Sequence, residues 1–232
     1  MNFALLHTLP TFAPVFFRAL GTNLSVAAHA LAVGLPIGLL LGLLCLPSAS
    51  AHTATGSAAS SAASSATGSA SWPLRLGASA AGLTIALLRA APAFVVMYVL
   101  LHATPARWGI SPEGAVALAL AAYAAAYVAD TFQPAAQDWR AGASAGVQLF
   151  LTGLVRCFFV MVLSSGFGAA VGVTEATAVT LKALEQLPGA VDRLGLMGCV
   201  VLVFIAMRHG VNGLIRLTQR PLDWLLGQRR AA

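Results

Sequence analysis

The sequence predicts an all-α integral membrane protein, and two observations carry that prediction. Hydrophobic residues make up 59% of the 232-residue chain and charged residues only 9%, whereas soluble domains carry about 25% charged residues. The apolar residues also lie in long runs of Ala, Leu, Val and Gly, without the alternating polarity that a membrane β-barrel needs. Helices are therefore expected, and an ordinary water-soluble enzyme is excluded.

Uncharged apolar runs of roughly 20 residues mark the helices that can cross the hydrocarbon core of a bilayer, which is about 30 Å thick. About five transmembrane helices are expected on this basis. The predicted spans are 21–46, 76–101, 112–129, 147–171 and 194–217.

The same pattern divides the chain into an external N-terminal segment (1–20), a transmembrane domain (21–217) and a basic cytoplasmic tail (218–232). Within the domain, residues 48–71 are Ser, Ala, Thr and Gly, with His52 as the single exception. This stretch has too little apolar surface to offset the entropy of ordering, so we expect a low-complexity cytoplasmic loop. A cleaved signal peptide is disfavoured, because the preceding apolar stretch is about twice the length of a usual signal-peptide core.

Orientation follows from the arginines near the span ends. Arg216, Arg220, Arg229 and Arg230 form the strongest basic cluster, and the positive-inside rule places such a cluster in the cytoplasm. Five spans then put the N-terminus outside. The net charge of +6 indicates contact with anionic membrane lipid, and no nucleic acid partner is expected.

Motifs for the common catalytic chemistries are missing. The single lysine, Lys182, does not belong to a phosphate-binding loop, and zinc-hydrolase, nucleophile-elbow and dinucleotide-binding patterns are absent too. The cysteines lie far apart with no metal-ligand spacing. The sequence therefore predicts no enzyme activity, no catalytic residue, no metal and no cofactor in this chain.

Charged residues inside or at the edge of a span are costly in lipid, so they tend to face a bundle interior, a cavity or a partner. Arg89, Asp130, Arg156 and Arg208 are the candidates. Plainer interpretations are snorkelling, or helix breaks that place the side chain near an interface, for Arg89 and Arg156, and a solvated boundary for Asp130.

Small residues recur at Gly34, Gly38 and Gly42 in the first predicted span. At helical periodicity they share one face, so the spacing predicts the close approach of another helix, from this chain or from a second subunit.

Several short motifs follow one another along the chain. The first predicted span opens with Gly-Thr-Asn-Leu-Ser at 21–25 and continues to Leu-Pro-Ile-Gly-Leu-Leu-Leu-Gly-Leu at 35–43. Leu-Arg-Ala-Ala-Pro at 88–92, a tyrosine-containing helix with Asp130 near its end, and Gly-Val-Thr-Glu at 172–175 come next. In this order they resemble the motifs of the membrane-spanning permease subunit of bacterial ATP-binding-cassette (ABC) importers for polar amino acids.

The resemblance implies a bundle that carries a small polar solute, of the amino acid class, through the bacterial inner membrane. It also implies a second permease subunit, identical or different, an external solute-binding protein, and cytoplasmic P-loop ATPase subunits that bind the ATP. Arg89 and Pro92 of the second motif, together with Arg156, are expected on the translocation path or at the subunit interface.

The loop expected to dock the ATPase departs from the family pattern. In the family this loop carries Glu-Ala-Ala, a glycine four residues on and a later Leu-Pro, and it forms a short coupling helix. If Gly142 is the glycine, Ala136, Gln137 and Asp138 replace Glu-Ala-Ala, and no Leu-Pro follows. The stretch 150–172 is also shorter than its counterpart.

Asp130 is expected to anchor the start of this divergent coupling loop. Because the docking motif is missing, a non-transporting membrane scaffold or assembly subunit is the alternative function. A proton-coupled carrier is disfavoured, since the predicted spans offer few groups for a proton relay.

Overall fold

The computed structural model of the protein describes residues 4–46, 72–143 and 145–228. These residues form α-helices and two short 3-10 helices, with no strand among them, so the predicted all-α class is confirmed. The α-helices are α1 (Ala4–Leu44), α2 (Trp72–Ala90), α3 (Ala93–His102), α4 (Pro112–Arg140), α5 (Ala145–Ser164), α6 (Ala176–Gln186) and α7 (Ala190–Gln228). The 3-10 helices are Ala106–Trp108 and Ser165–Val171.

Among the described residues, four helices are long and apolar enough to cross a membrane: α1, α4, α7, and α5 with its 3-10 extension, Ala145–Val171. The helices α2 and α3 pass the same test only when they are taken together as one segment. This segment is bent, and its two halves meet at 92°. The chain has the apolar helices of a multi-pass membrane protein.

Contacts between the helices fix their relative directions. Gly34 lies against Ala124 and Gly42 against Phe132, so α1 and α4 run parallel. The rings of Phe132 and Phe150 are 5.9 Å apart and Asp138 lies on Gly146, so α5 runs back along α4. On the other side of α1, the pairs Leu5–Gly195 and Phe16–Phe204 make α7 parallel to α1.

The parallel directions of α1 and α4 indicate whether α2 and α3 together form one membrane crossing. Because α1 and α4 point the same way, the chain must return across the membrane between them, and α2 with α3 is the apolar segment of that stretch long enough to do so. With the bent pair counted as one broken span, the described helices provide five candidate crossings.

The break corrects the prediction of one straight helix over 76–101. The amide of Ala91 makes the last helical hydrogen bond of α2, to Leu87 (3.1 Å), and Pro92 then begins α3 in an extended conformation. Proline has no N–H and disfavours helical geometry in the residue before it, so a continuous helix ends there.

The first helix begins at Ala4, well before the predicted start of the span at residue 21. Its early turns carry Phe12, Phe16 and Leu20 at four-residue spacing, and these side chains are buried against Leu187 and Leu196. The prediction missed this part because exposed Arg18 was taken as a boundary. The external location of residues 1–20 stays a prediction.

The glycine face of α1 packs on α4, which confirms the predicted close approach and identifies the partner as a helix of the same chain. A Cβ atom added to Gly34 would lie 2.6 Å from the carbonyl oxygen of Ala121, and one on Gly38 would lie 2.5 Å from that of Ala125. The backbones touch, so this pair forms the centre of the bundle.

The predicted loop 48–71 lies outside the described residues. Of the predicted tail 218–232, the structure describes helix α7 as far as Gln228.

Candidate functional site

Two of the predicted site residues form an ion pair. Arg89 stands in the last turn of α2, directly before the break, and its guanidinium bonds the carboxylate of Asp130 on α4. The side chains are 63% and 39% exposed, so the pair is accessible from outside the chain. Mutual neutralisation lowers the cost of holding both charges at the edge of an apolar layer.

The exposed side of α4 continues this polar surface. Tyr123, Tyr127 and Asp130 follow one another at helical spacing and share one face, and the two tyrosine rings stack with centroids 6.5 Å apart. Arg156 of α5 is close enough to Tyr127 for an electrostatic interaction. We call these four residues, together with Arg89, the polar face.

The polar face lies apart from the packing surface of α4, which presents Ala121, Ala124, Ala125 and Val128 to α1. Tyr123 is 38% exposed, and Arg89 and Arg156 are exposed as well. No other described part of the chain covers this surface, which brings charged and hydroxyl groups from α2, α4 and α5 together. Such a surface can bind a small solute that carries both charges.

Pro92 contributes to this site through the backbone. It is exposed at the junction of α2 and α3, three residues after Arg89. By ending α2 there, it leaves the arginine on the last turn of a helix, beside α4, rather than in the middle of a continuous span.

The predicted coupling residues do not form a loop of their own. Ala136, Gln137 and Asp138 lie within α4, which runs through the expected loop to Arg140. The prediction ended the span at the first charge, Asp130, but the residues that follow contain no glycine before 142 and the helix continues.

The described part of the connection from α4 to α5 is a turn over 141–143. Gly142 has a φ of +79°, a conformation that glycine adopts readily. The amide of Ala143 donates to the carbonyl of Asp138 (2.8 Å), and the Asp138 side chain packs on Gly146 at the start of α5. Among the described residues, no separate helix stands between α4 and α5. The role of these residues in coupling stays a prediction.

A buried polar cluster, which the sequence did not reveal, joins α1 to the start of α6. The side-chain amide of Asn23 donates to Glu175 Oε2 and to Ser165 Oγ, both at 2.9 Å, and its oxygen accepts from the amide of Ala176 at 3.0 Å. Asn23, Ser165 and Glu175 are each at most 2% exposed.

The carboxylate of Glu175 caps α6. It accepts from the amides of Thr177 (2.9 Å) and Ala178 (3.1 Å), and negative charge at a helix N-terminus is favourable. Asn23 and Glu175 belong to two of the sequence motifs, 21–25 and 172–175, but nothing in the sequence joined them. The cluster is a structural clamp, away from the polar face.

Comparison of the sequence with protein-family models and with curated proteins gives no match. Two solved structures share the fold. A chain of an amino acid ABC transporter, crystallised with histidines, superposes with a TM-score of 0.67 at 17% identity, over 92% of this chain and 97% of that one. A chain of the MetNI methionine ABC transporter, in an inward-facing conformation, gives a TM-score of 0.58 at 16% identity, over 88% and 95%. The chain therefore has the ABC importer permease-like fold that its ordered motifs predicted.

Proposed function

We propose that this chain is the membrane permease subunit of an ABC importer, and that it forms the translocation path for a small polar solute, an amino acid in the first instance. The single observation that carries the proposal is the fold shared with a chain of an amino acid ABC transporter over nearly the full length of both.

The polar face supports a path between two subunits. Charged and hydroxyl groups exposed to lipid are costly, and a second permease subunit laid against this face would remove them from lipid. The Arg89 guanidinium can hold a carboxylate through paired hydrogen bonds, and the Asp130 carboxylate can accept from an ammonium. An amino acid carries both groups. Its carboxylate can replace Asp130 as the partner of Arg89, and its ammonium can replace Arg89 as the partner of Asp130.

The energy for transport comes from other subunits in this proposal. Since the chain has no phosphate-binding loop, cytoplasmic P-loop ATPase subunits bind the ATP, and an external binding protein delivers the solute. The chain itself performs no reaction on the solute and needs no cofactor. Arg140 at the α4–α5 turn and Arg216 near the end of α7 favour placing this end of the bundle in the cytoplasm.

A specific observation favours a second candidate, the non-transporting scaffold or assembly subunit. Helix α4 runs without a break through Ala136–Asp138, and α5 begins directly after a tight turn. A docking element for an ATPase would then be the end of the α4–α5 hairpin itself, or would be supplied by a partner permease.

Extraction of the tagged chain from its native membrane in mild detergent, with mass spectrometry of the proteins that accompany it, tests the proposal. We expect a P-loop ATPase and a second five-span subunit. An intact chain without an ATPase would favour the scaffold, and grafting a consensus coupling loop over 135–146 would then decide. Gained ATPase binding would identify a divergent permease, and unchanged binding a scaffold.

A further inference from the structure

A groove of about 850 Å³ lies between α5 and α7 and is largely uncovered; Arg156 is the residue that it shares with the polar face. Its volume falls in the range of roughly 300–1,000 Å³ that is usual for small-molecule sites. Only 6% of the apolar stretch of α7 is buried within the chain, so one wall of the groove is a helix that the bundle hardly covers.

Polar and apolar groups are separated along this groove. Arg156, Arg208 and Asn212 line one end, and Leu163 and Val201 line the other. Arg156 and Leu163 are seven positions apart on α5, and Arg208 and Val201 are seven positions apart on α7. Since the two helices run in opposite directions, both pairs cover the same length of the groove. At 1.5 Å per residue that length is about 10 Å. The groove has the polarity of an amphiphile, with a cationic head region and an apolar body.

The arginine end lies near the edge of the hydrocarbon layer. Helix α4 is uncharged between Glu113 and Asp130, which corresponds to about 26 Å of helix and is close to the thickness of the hydrocarbon core. Arg156 is close enough to Tyr127 for an electrostatic interaction, and Tyr127 lies about one turn, or about 5 Å, on the hydrocarbon side of Asp130. An arginine side chain at that depth can extend its guanidinium toward the lipid headgroups.

Neither groove arginine has a carboxylate partner among the described residues, where the one salt bridge joins Arg89 to Asp130. A second copy of the chain would not provide a free one at this depth, because Asp130 is already paired and Asp138 packs on the start of α5. The two arginines of the groove therefore favour an anion that is not part of this protein. The apolar end of the groove favours an anion that carries a hydrocarbon chain.

We propose that the groove between α5 and α7 binds an anionic phospholipid of the surrounding bilayer, with the phosphate between Arg156 and Arg208 and an acyl chain along Leu163 and Val201. Arginine suits this role because its planar guanidinium bonds phosphate oxygens in pairs. The argument for this site does not use the proposed transport function; because Arg156 also belongs to the polar face, lipid binding is measured directly and not through uptake.

Native mass spectrometry of the full chain in detergent tests the site. The protein is titrated with dioleoyl phosphatidylglycerol or with dioleoyl phosphatidylcholine, and the affinity for the first bound lipid is measured. We expect phosphatidylglycerol to bind more tightly. Arg156→Gln and Arg208→Gln should each weaken its binding about fivefold, and the double variant about 25-fold, as expected for the loss of one and of two basic side chains at a lipid surface.

Two further sets of variants separate a site from general attraction or misfolding. Arg216→Gln removes an exposed arginine further along α7, outside the groove, and should leave the affinity unchanged. Arg156→Lys and Arg208→Lys keep the charge and should keep most of the preference for phosphatidylglycerol. Equal binding of the two lipids by the unaltered chain, or an equal loss in Arg216→Gln, would overturn the proposal. So would crosslinking of a cysteine at Leu163 to a second copy, which would place protein in the groove.

Discussion

Replacing Gly38 by alanine tests the contact on which the bundle is built. The added Cβ would lie 2.5 Å from the carbonyl oxygen of Ala125 and 2.6 Å from the Cβ of Val128, whereas carbon atoms in good contact are about 3.5 Å or more apart. Both neighbours are fixed to the backbone of α4, so the helices must separate by about 1 Å. Overpacking of this kind costs about 1–3 kcal/mol.

The assay is the thermal midpoint of the detergent-purified chain, followed by the loss of the monodisperse peak in size-exclusion chromatography. For a chain of this size a cost of that order corresponds to a fall of about 2–12 °C. Gly210→Ala is the matched control, since it lies within helix α7 and a Cβ there meets nothing within 4 Å. If Gly38→Ala proved as stable as Gly210→Ala, the helices would not be in backbone contact and the packing argument would be wrong.

Two further predictions concern the polar groups. Arg89→Ala should lower solute uptake while leaving membrane insertion and the thermal midpoint nearly unchanged, because an exposed ion pair stabilises by at most about 1 kcal/mol. An uptake assay measures the first effect, and fluorescence-detected chromatography measures insertion and the midpoint. Normal uptake would remove Arg89 from the site. The exchanged pair Arg89→Asp with Asp130→Arg should recover part of the uptake, and no recovery would mean that the pair acts through its orientation. Asn23→Ala should lower the midpoint by an amount corresponding to about 1–3 kcal/mol, since it leaves the buried amide of Ala176 without its acceptor and removes one of the two donors to Glu175 Oε2. Asn212→Ala, at an exposed position, should not lower it, and equal midpoints would deny the clamp.

The fold class and the approximate crossings could be predicted because charge and length alone limit where a helix can cross lipid. The same charges were poor guides to helix ends. Arg18 and Asp130 were taken as boundaries, yet α1 and α4 continue through both, since a helix can extend into water when its next turns pack or keep their hydrogen bonds.

A helix break near Arg89 was one of the interpretations of that charge, but the sequence did not show that the break falls at Pro92. No charge or turn sequence separates 76–101 into two parts apart from Arg89, and prolines lie inside other helices of this chain, such as Pro36 in α1. Pro92 ends α2 here, and α3 then packs on the core through buried Met97, a contact that is not visible in a local pattern.

Individual residues of the candidate site were singled out from the sequence, but their arrangement was not, and Asp130 was assigned to the coupling loop. Arg89 and Asp130 were identified because charge in a span is costly, and their pairing emerged only once α2 was placed beside α4. Tyr123 and Tyr127 could have been found from their spacing with Asp130. The Asn23–Glu175 contact joins residues 152 positions apart, so no local signal could have found it.

The central claim, that this chain lines an ATP-driven path for a polar solute, is tested most directly by transport. The complex extracted with the tagged chain is reconstituted into vesicles with ATP on the side of the α4–α5 turn and a mixture of radiolabelled amino acids with the binding protein on the other. We predict ATP-dependent uptake of one or a few amino acids, reduced by Arg89→Ala. Absence of uptake from a complex whose ATPase is present and hydrolyses ATP would contradict the account.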